Sequence, residues 1–499
     1  MRKMKKIAAL ALAAITATAF VGCSEEQDAA FLYYQGDRID VATGKMEFST
    51  DLFYRNDYKV AGADPFVLDN TSRDGYYYIF TTSGHFESSR SKDLVNWEIM
   101  GPPLNVWSAD SEIREIVWND IWAPEVIYDP DTELYYMHFS ASPKNSSAMD
   151  MLLMGAVSET PYGPYEVVNF TDPESCGAEN VHNYDTTLYN EVEAQYLFLN
   201  PELYHDFSVA QTGKSRKYPG AIDPHAFVDD DGKKYLYFVD NIGTNFINVV
   251  EMENWLKPKW DTMTIVTATR FWTVEDFKNW RDTGADPEDG YVTYENANNT
   301  INEGPAMIKR NGKYYLTLSI NDYGKSNYAV VQAVADKPTG PFRKLREEEN
   351  GLMLSSLAQG NNEVSGSGHH SFVTVDDQMY IVYHRHDDVV AAGGPRNAAI
   401  DEIEWVAIKD IEGNDLDVMY VNGPTWNVQP LPMGEYVNIA PEATVTGSDD
   451  AEFLFDRLLS TCKTDTAFHL NYVNETIIEK TTTFTFDFAT PRKIRAVMI

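Results

Sequence analysis

Asp223-Pro224-His225-Ala226-Phe227-Val228, followed by Asp231-Gly232-Lys233-Lys234-Tyr235-Leu236-Tyr237-Phe238, reads as a strand, a polar turn and a second strand. The Pro sits at the strand start, where a missing N–H is harmless. Asp-Gly favours a hairpin turn because Gly takes positive φ without steric cost, and the Tyr/Leu/Phe run has strand composition. The unit recurs four times. Asp64-Pro65-Phe66-Val67-Leu68 precedes Asp74-Gly75-Tyr76-Tyr77-Tyr78, and Ala123-Pro124-Glu125-Val126-Ile127 precedes Glu133-Leu134-Tyr135-Tyr136. Gly304-Pro305-Ala306-Met307-Ile308 precedes Asn311-Gly312-Lys313-Tyr314-Tyr315, and His370-Ser371-Phe372-Val373 precedes Gln378-Met379-Tyr380-Ile381. Aligned on positions 65, 124, 224, 305 and 370, the units are spaced irregularly, by roughly 60 to 100 residues, which suits propeller blades carrying insertions better than a solenoid. The fold class expected is all-β: a five-bladed β-propeller, with a β-sandwich as the main rival.

Two smaller echoes accompany the repeat. Asp93-Leu94-Val95-Asn96-Trp97 resembles Asp276-Phe277-Lys278-Asn279-Trp280, and Gly163-Pro164-Tyr165 resembles Gly340-Pro341-Phe342. Both are read as structural, at outer strands and blade junctions. The longest insertion lies at about 160–220. Pro430, Pro432, Gly434 and Pro441 mark a change of composition, after which alternating runs such as Thr483-Phe484-Thr485-Phe486 again indicate β structure.

The 499 residues exceed one ordinary core. A net charge of −36 repels a phosphate backbone and argues against nucleic-acid binding. Aromatic residues make up 13%, which β packing accounts for without a sugar-stacking surface. Arg2, Lys3, Lys5 and Lys6 precede an apolar stretch, Ile7 to Phe20, too short to span a bilayer comfortably. Phe20-Val21-Gly22-Cys23 resembles a bacterial lipobox, which implies lipidation of Cys23, and Ser24-Glu25-Glu26-Gln27-Asp28 resembles the surface-export signal of Bacteroides-group lipoproteins. The expected location is the outer membrane, at the cell surface or otherwise facing the periplasm, with membrane contact only through the N-terminal lipid. Cys176 and Cys462 fall in different segments and no disulfide between them is expected; no zinc-type spacing exists. The organisation read from these features is a signal peptide at 1–22, a tether at 23–54, the propeller at 55–432 and the start of a further β-sandwich at 433–499, expected to continue past Ile499.

Innermost strands of a propeller begin beside its axis, so residues at their starts converge. Asp64, Asp223 and Glu303 all stand there. Acids gathered in a partly dry funnel cannot all ionise easily; their pKa values separate, giving one acid and one base at a common pH. Each has a plainer reading, Asp64 and Asp223 as Asp-Pro strand caps and Glu303 as a surface turn.

Ala63-Asp64-Pro65, Trp122-Ala123-Pro124-Glu125, Ile222-Asp223-Pro224, Asn302-Glu303-Gly304-Pro305 and Gly368-His369-His370-Ser371, in that order, resemble glycoside hydrolase family 43, as does Ser91-Lys92-Asp93-Leu94-Val95-Asn96-Trp97. The resemblance covers roughly residues 55–410. It implies an inverting glycosidase with Asp64 as general base, Glu303 as general acid and Asp223 holding Glu303 protonated and oriented. Inversion needs carboxyl groups about 6.5–9.5 Å apart, leaving room for water. The family's habits imply plant-type polysaccharide or its oligosaccharides as substrate, first α-L-arabinofuranosides or β-D-xylosides, with galactan or another hexose glycan as the alternative. They also imply no cofactor for the chemistry, and His369 near a structural calcium, although calcium prefers oxygen ligands. Trp122, His85, Phe86 and Arg396 are candidate sugar contacts, each with a commoner reading as core or surface. The segment after 432 resembles the opening of a galactose-binding-like, discoidin-type domain. The carbohydrate is the expected partner; the oligomeric state is left open. The rival function is a non-catalytic carbohydrate-binding lipoprotein, which has no need of three intact acids.

Overall fold

The repeated strand–turn–strand units fold as sheets in which each strand pairs with the next in the chain. The computed structural model describes residues 31–34, 37–40, 46–48, 52–56, 60–83, 86–104, 117–143, 151–168, 221–241, 245–297, 301–356, 364–386, 394–425, 428–433, 437–448, 451–458 and 482–494. Cys23, His85, Cys176, Cys462 and most of the 160–220 insertion lie outside them. Blade I consists of Ala63–Asp69, Tyr77–Thr82, Glu87–Ser91 and Glu98–Gly101. Blade II consists of Val117–Asp129, Leu134–Pro143, Leu152–Ser158 and Glu166–Val168. Blade III is built from Ala221–Val228, Lys234–Asn241, Asn245–Asn254 and Lys257–Ala268. Blade IV is built from Asn302–Arg310, Lys313–Ile320, Ala329–Ala335 and Arg343–Lys344, with Leu352–Ser355 also paired to its third strand. Gly368–Val375, Gln378–His386, Arg396–Lys409 and Asp415–Val421 form blade V. All pairings are antiparallel, in chain order from the first strand outward.

The first strands touch in a closed cycle, I to II to III to IV to V and back to I. This is a five-bladed β-propeller. Apolar side chains of facing blades fill the gaps: Phe80, Met137 and Phe139 between I and II, Leu153, Leu236 and Phe238 between II and III, Ile247, Leu316 and Val331 between III and IV, and Val330, Ile381 and Val418 between IV and V. Blade V meets blade I through polar bonds. Ser371 Oγ accepts from Val67 N and donates to Pro65 O, and Ala61 bridges Asn397.

The two echoes part company. Asp93 Oδ1 accepts from Val95 N and Asn96 N in a turn before the fourth strand of blade I, whereas Asp276–Trp280 lies in the helix Val274–Thr283. The capping box of Thr273 and Asp276 nucleates that helix. The Gly-Pro pairs at 163 and 340 are both cis and both precede fourth strands, as their likeness suggested.

A second compact unit comprises Met1–Arg55, Asn427–Ser460 and Val473–Ile499. Its described strands are short: Phe31–Tyr34, Asp37–Asp40 and Met46–Phe48 in one sheet, Phe53–Tyr54 paired with Gln429–Pro430, and Thr444–Thr446 paired with Thr485–Asp487. Among the described residues no helix is long and apolar enough to cross a membrane.

Candidate active site

Every first strand breaks register with its partner near its start, between Ala63 and Phe66, Trp122 and Glu125, Ile222 and His225, Glu303 and Ala306, and Gly368 and His370. Inside each break one residue has left-handed backbone: Asp64, Ala123, Asp223, Gly304 and His369, with φ between 46 and 54°. Four of these are not glycine, so the conformation must be imposed from outside. The imposition is a ring of hydrogen bonds in which each of these amides donates to a side chain of the preceding blade. Ala123 N donates to Thr82 Oγ1 (2.8 Å), Asp223 N to Ser140 Oγ (3.0 Å) and His369 N to Ser319 Oγ (2.7 Å). Gly304 N donates to Asp223 Oδ2 (3.1 Å), and Asp64 N closes the circle on His384 Nδ1 (3.1 Å).

The three acids therefore do not occupy one equivalent position. Asp64 and Asp223 are the left-handed residues of their blades, while Glu303 lies one residue earlier, beside Gly304. A side chain at 304 would crowd His369, whose Cγ lies 3.1 Å from where a Cβ would be. Asn302, just before Glu303, is anchored by Lys344 Nζ at 2.8 Å, and the same buried ammonium bonds Ala268 O and Glu295.

Asp64 is buried, with Oδ1 3.1 Å from His369 Nδ1, 3.4 Å from His384 Nδ1 and 3.7 Å from Arg396 Nη1. His384 Nδ1 accepts the Asp64 amide proton, which puts the ring proton of the neutral imidazole on Nε2. Burial holds the His384 pKa down at about 3 and lowers that of His369. For Asp64, burial opposes ionisation, but His369 and Arg396 overcome it and hold the carboxyl well below the usual carboxylate range. Glu303 goes the other way. Burial and the charge of Asp64 push it up to about 7, against the pull of the Tyr328 hydroxyl, which donates to Oε1 at 2.7 Å. Burial raises Asp223 as well, helped by the charges of Glu303 and Asp64. The three carboxyl groups thus lie within one another's electrostatic reach. At neutral pH Asp64 is ionised while the Glu303–Asp223 pair retains a proton.

Of the other residues read from sequence, Arg396 and His369 join the acids. Trp122 is half-buried, one residue before Ala123, and packs on the core between blades III and IV. Phe86 is a correction: it is 1% exposed, edge-on to Phe139 at 5.5 Å in the core between blades I and II, and has no face for a sugar. His85 lies outside the described residues. Calcium takes six to eight oxygens. The described residues contain no group of three or more His, Cys, Asp or Glu able to hold a metal, and His369 Nδ1 is engaged by Asp64, so these side chains do not fit a calcium cage. Sequence reasoning missed Tyr328, His384 and the three hydroxyl acceptors. Thr82, Ser140 and Ser319 are small polar residues in β runs and carry no distinguishing signal in the sequence.

The profile of glycosyl hydrolases family 43 matches residues 58–211 and 186–407. A beta-D-galactofuranosidase of Aspergillus niger is 34% identical over 208 residues, spanning 41% of this chain and 49% of that protein. A xylosidase/arabinosidase of Bacteroides ovatus is 25% identical over 373 residues, spanning 68% of this chain and 93% of that protein. The crystal structure of a thermostable family-43 glycoside hydrolase superposes with a TM-score of 0.55 at 26% identity, over 77% of this chain and all of that one. The chain thus spans about half the length of the first of these relatives and nearly all of the second. Profile matches running from residue 58 to residue 407, across the first strands of all five blades, mean that the chain belongs to glycosyl hydrolases family 43.

Proposed function

We propose that the propeller is an inverting glycosidase in which Asp64 is the general base that activates water, Glu303 the general acid that protonates the leaving oxygen, and Asp223 the group that keeps Glu303 protonated and oriented. The observation that carries this is the contrast between two carboxyl groups within electrostatic reach of each other: Asp64 faces His369 and Arg396, which favour its anion, while Glu303, among the described residues, meets only the Tyr328 hydroxyl at 2.7 Å and is pushed up to about 7 by burial and by Asp64. Inverting hydrolysis requires that pair of states simultaneously. Arg396 and His369 hold the base anionic, and Asp223 anchors the backbone beside the acid through Gly304 N.

The substrate is a plant-type polysaccharide or oligosaccharide. An α-L-arabinofuranoside or β-D-xyloside is the first choice, which the xylosidase/arabinosidase of Bacteroides ovatus supports; the galactofuranosidase of Aspergillus niger supports a hexofuranoside as the alternative. Lipidation of Cys23 would tether the enzyme to the outer membrane, facing its polymeric substrate, and the segment after 432 would begin a galactose-binding-like domain. Both rest on the sequence motifs.

Leaving-group dependence separates the two roles. Asp64→Ala is expected to lose at least about a hundredfold in kcat on every aryl glycoside the wild type cleaves. Glu303→Ala should lose as much on alkyl or oligosaccharide leaving groups yet keep most activity on dinitrophenyl glycosides, which depart unprotonated. NMR of the first-formed sugar should show the inverted anomer. Equal losses on all leaving groups for both variants would remove the role assignment; binding without hydrolysis would make the channel a capture site.

A further inference from the structure

Five large hydrophobic side chains of the propeller are notably exposed among the described residues: Ile99, Tyr162, Val228, Tyr323 and Ile411. Four lie on outer strands, on connections from third to fourth strands, or at the far end of a first strand. Tyr323 alone lies on a connection from a second to a third strand, residues 321–328 of blade IV. That is the end where the acids sit, because second strands finish beside the starts of first strands: Ile320 pairs with Asn302, next to Glu303.

The loop is tightly organised. Asn321 Nδ2 donates to Asn327 O, Gly324 N to Asp322 Oδ1 and Lys325 N to Asp322 O. Buried His386 pins the loop from blade V, its Nε2 2.6 Å from Tyr323 O and its Nδ1 3.1 Å from Ser365 Oγ. The loop ends at Tyr328, which bonds Glu303 and stacks on His384 at 5.4 Å. The Tyr323 ring takes the Arg396 guanidinium on one face at 4.5 Å, and Arg396 is the cation beside Asp64. One exposed aromatic ring thus packs on the cation beside Asp64 and shares its loop with the hydroxyl that bonds Glu303, on a loop that cannot easily collapse, and with 49% of the residue open to solvent.

We propose that Tyr323 is the sugar-stacking wall of the substrate site: its solvent face receives the C–H face of a glycan ring, and Arg396 behind it fixes the ring plane. The inference rests on the glycosidase reading above and adds a specificity-determining contact to it. Such a platform contributes to ground-state and transition-state binding alike, so its loss shows in KM rather than in kcat.

The test is steady-state kinetics of the full chain on the oligosaccharide it cleaves best, for wild type, Tyr323→Ala, Tyr323→Phe and, as a remote control, Ile411→Ala. Tyr323→Ala should raise KM about tenfold with kcat changed less than about threefold, from the magnitude of one aromatic contact. Tyr323→Phe should recover most of the affinity, since stacking needs the ring and not the hydroxyl. KM unchanged in Tyr323→Ala overturns the wall while leaving the glycosidase intact. A fall in kcat at constant KM, with an altered pH profile, means that Tyr323 acts through Arg396 on Asp64 and also overturns it. Should the wild type hydrolyse no glycan, the glycosidase reading fails; calorimetric titration of arabino- and xylo-oligosaccharides then decides the wall, equal affinity of wild type and Tyr323→Ala overturning it and a weakened variant supporting it.

Discussion

Glu303 is pulled in opposite directions by its neighbours. Burial and Asp64 raise its pKa, while the Tyr328 hydroxyl and Arg396 lower it. Tyr328 itself stays protonated, since burial and the charge of Glu303 raise its own pKa far above neutrality, so it acts as a fixed donor that favours the ionised carboxylate. The sign of its removal follows. As the proposed general acid, Glu303 must be protonated to act, so kcat/KM should fall as pH rises through its pKa, which burial and Asp64 push up to about 7. Tyr328→Phe removes the donor, raises that pKa and moves the basic limb to higher pH, with little loss on the acidic plateau. A pH–rate profile on a substrate with a poor leaving group checks this; a limb moving to lower pH would mean that the hydroxyl does not hold the anion. Asp64 stays ionised throughout this range, so it does not shape the limb. Because Glu303 and Asp223 titrate together, the limb belongs to the pair.

Among the elements, the first strands do more than deliver acids. Their third amide past the left-handed residue reaches back to a side chain of the preceding blade: Val67 N to Ser371 Oγ, Ala226 N to Glu125 Oε1 (2.7 Å) and Met307 N to His225 Nε2 (2.9 Å). His225 Nδ1 in turn meets Glu125 Oε2 at 2.9 Å, so Glu125, His225 and the strand carrying Glu303 form one chain across blades II, III and IV. His225→Ala leaves the Met307 amide unpaired and strips one partner from the buried Glu125, and should cost about 2–4 kcal/mol. A urea midpoint that falls at constant m would show it; a change under about 0.5 kcal/mol would mean that water replaces the ring. This chain also marks how far the sequence could be read. Asp-Pro, Asn-Gly and Tyr-rich runs encode strands and turns locally, through φ preferences and side-chain shape, and so the five units and the acids at their starts were visible. The register break is not local. It depends on a hydroxyl, carboxylate or imidazole from another blade, some 40 to 320 residues away, and nothing around Thr82 or His384 announces it. Phe86 was misread for the same reason, since an aromatic next to a candidate sugar contact looks alike whether it faces solvent or the adjacent blade.

The whole ring must close, and here the closing bonds are polar. Asn56, before the first strand, donates through Nδ2 to Ile400 O and Asp401 Oδ1 and accepts from Ile400 N; buried Arg385 reaches its carbonyl. Asp401, fully buried on the third strand of blade V, also accepts from Tyr383 Oη (2.6 Å), Thr425 N (3.1 Å) and Thr425 Oγ1 (2.5 Å). Gly423 makes room for it, since a Cβ there would lie 2.2 Å from Asp401 Oδ2. One carboxyl thereby ties the segments before blade I and after blade V. Asp401→Ala should cost about 3 kcal/mol, by orphaning buried donors, and a double-mutant cycle with Asn56→Ala should give a coupling of about 1 kcal/mol, because the two share a bond. The cost depends on pH with a definite sign. Burial raises the Asp401 pKa to about 7 despite its hydrogen bonds, so its contribution is complete below the unfolded value near 4 and is lost as pH rises through about 7. The stability gap between wild type and Asp401→Ala should therefore narrow from pH 5 to pH 8. Asp223 and Glu303 titrate in both chains and cancel in the difference. Denaturant titrations of both proteins at the two pH values measure it, and a gap that widens with pH would mean that the donors around Asp401 outweigh burial and that the clasp works as an anion.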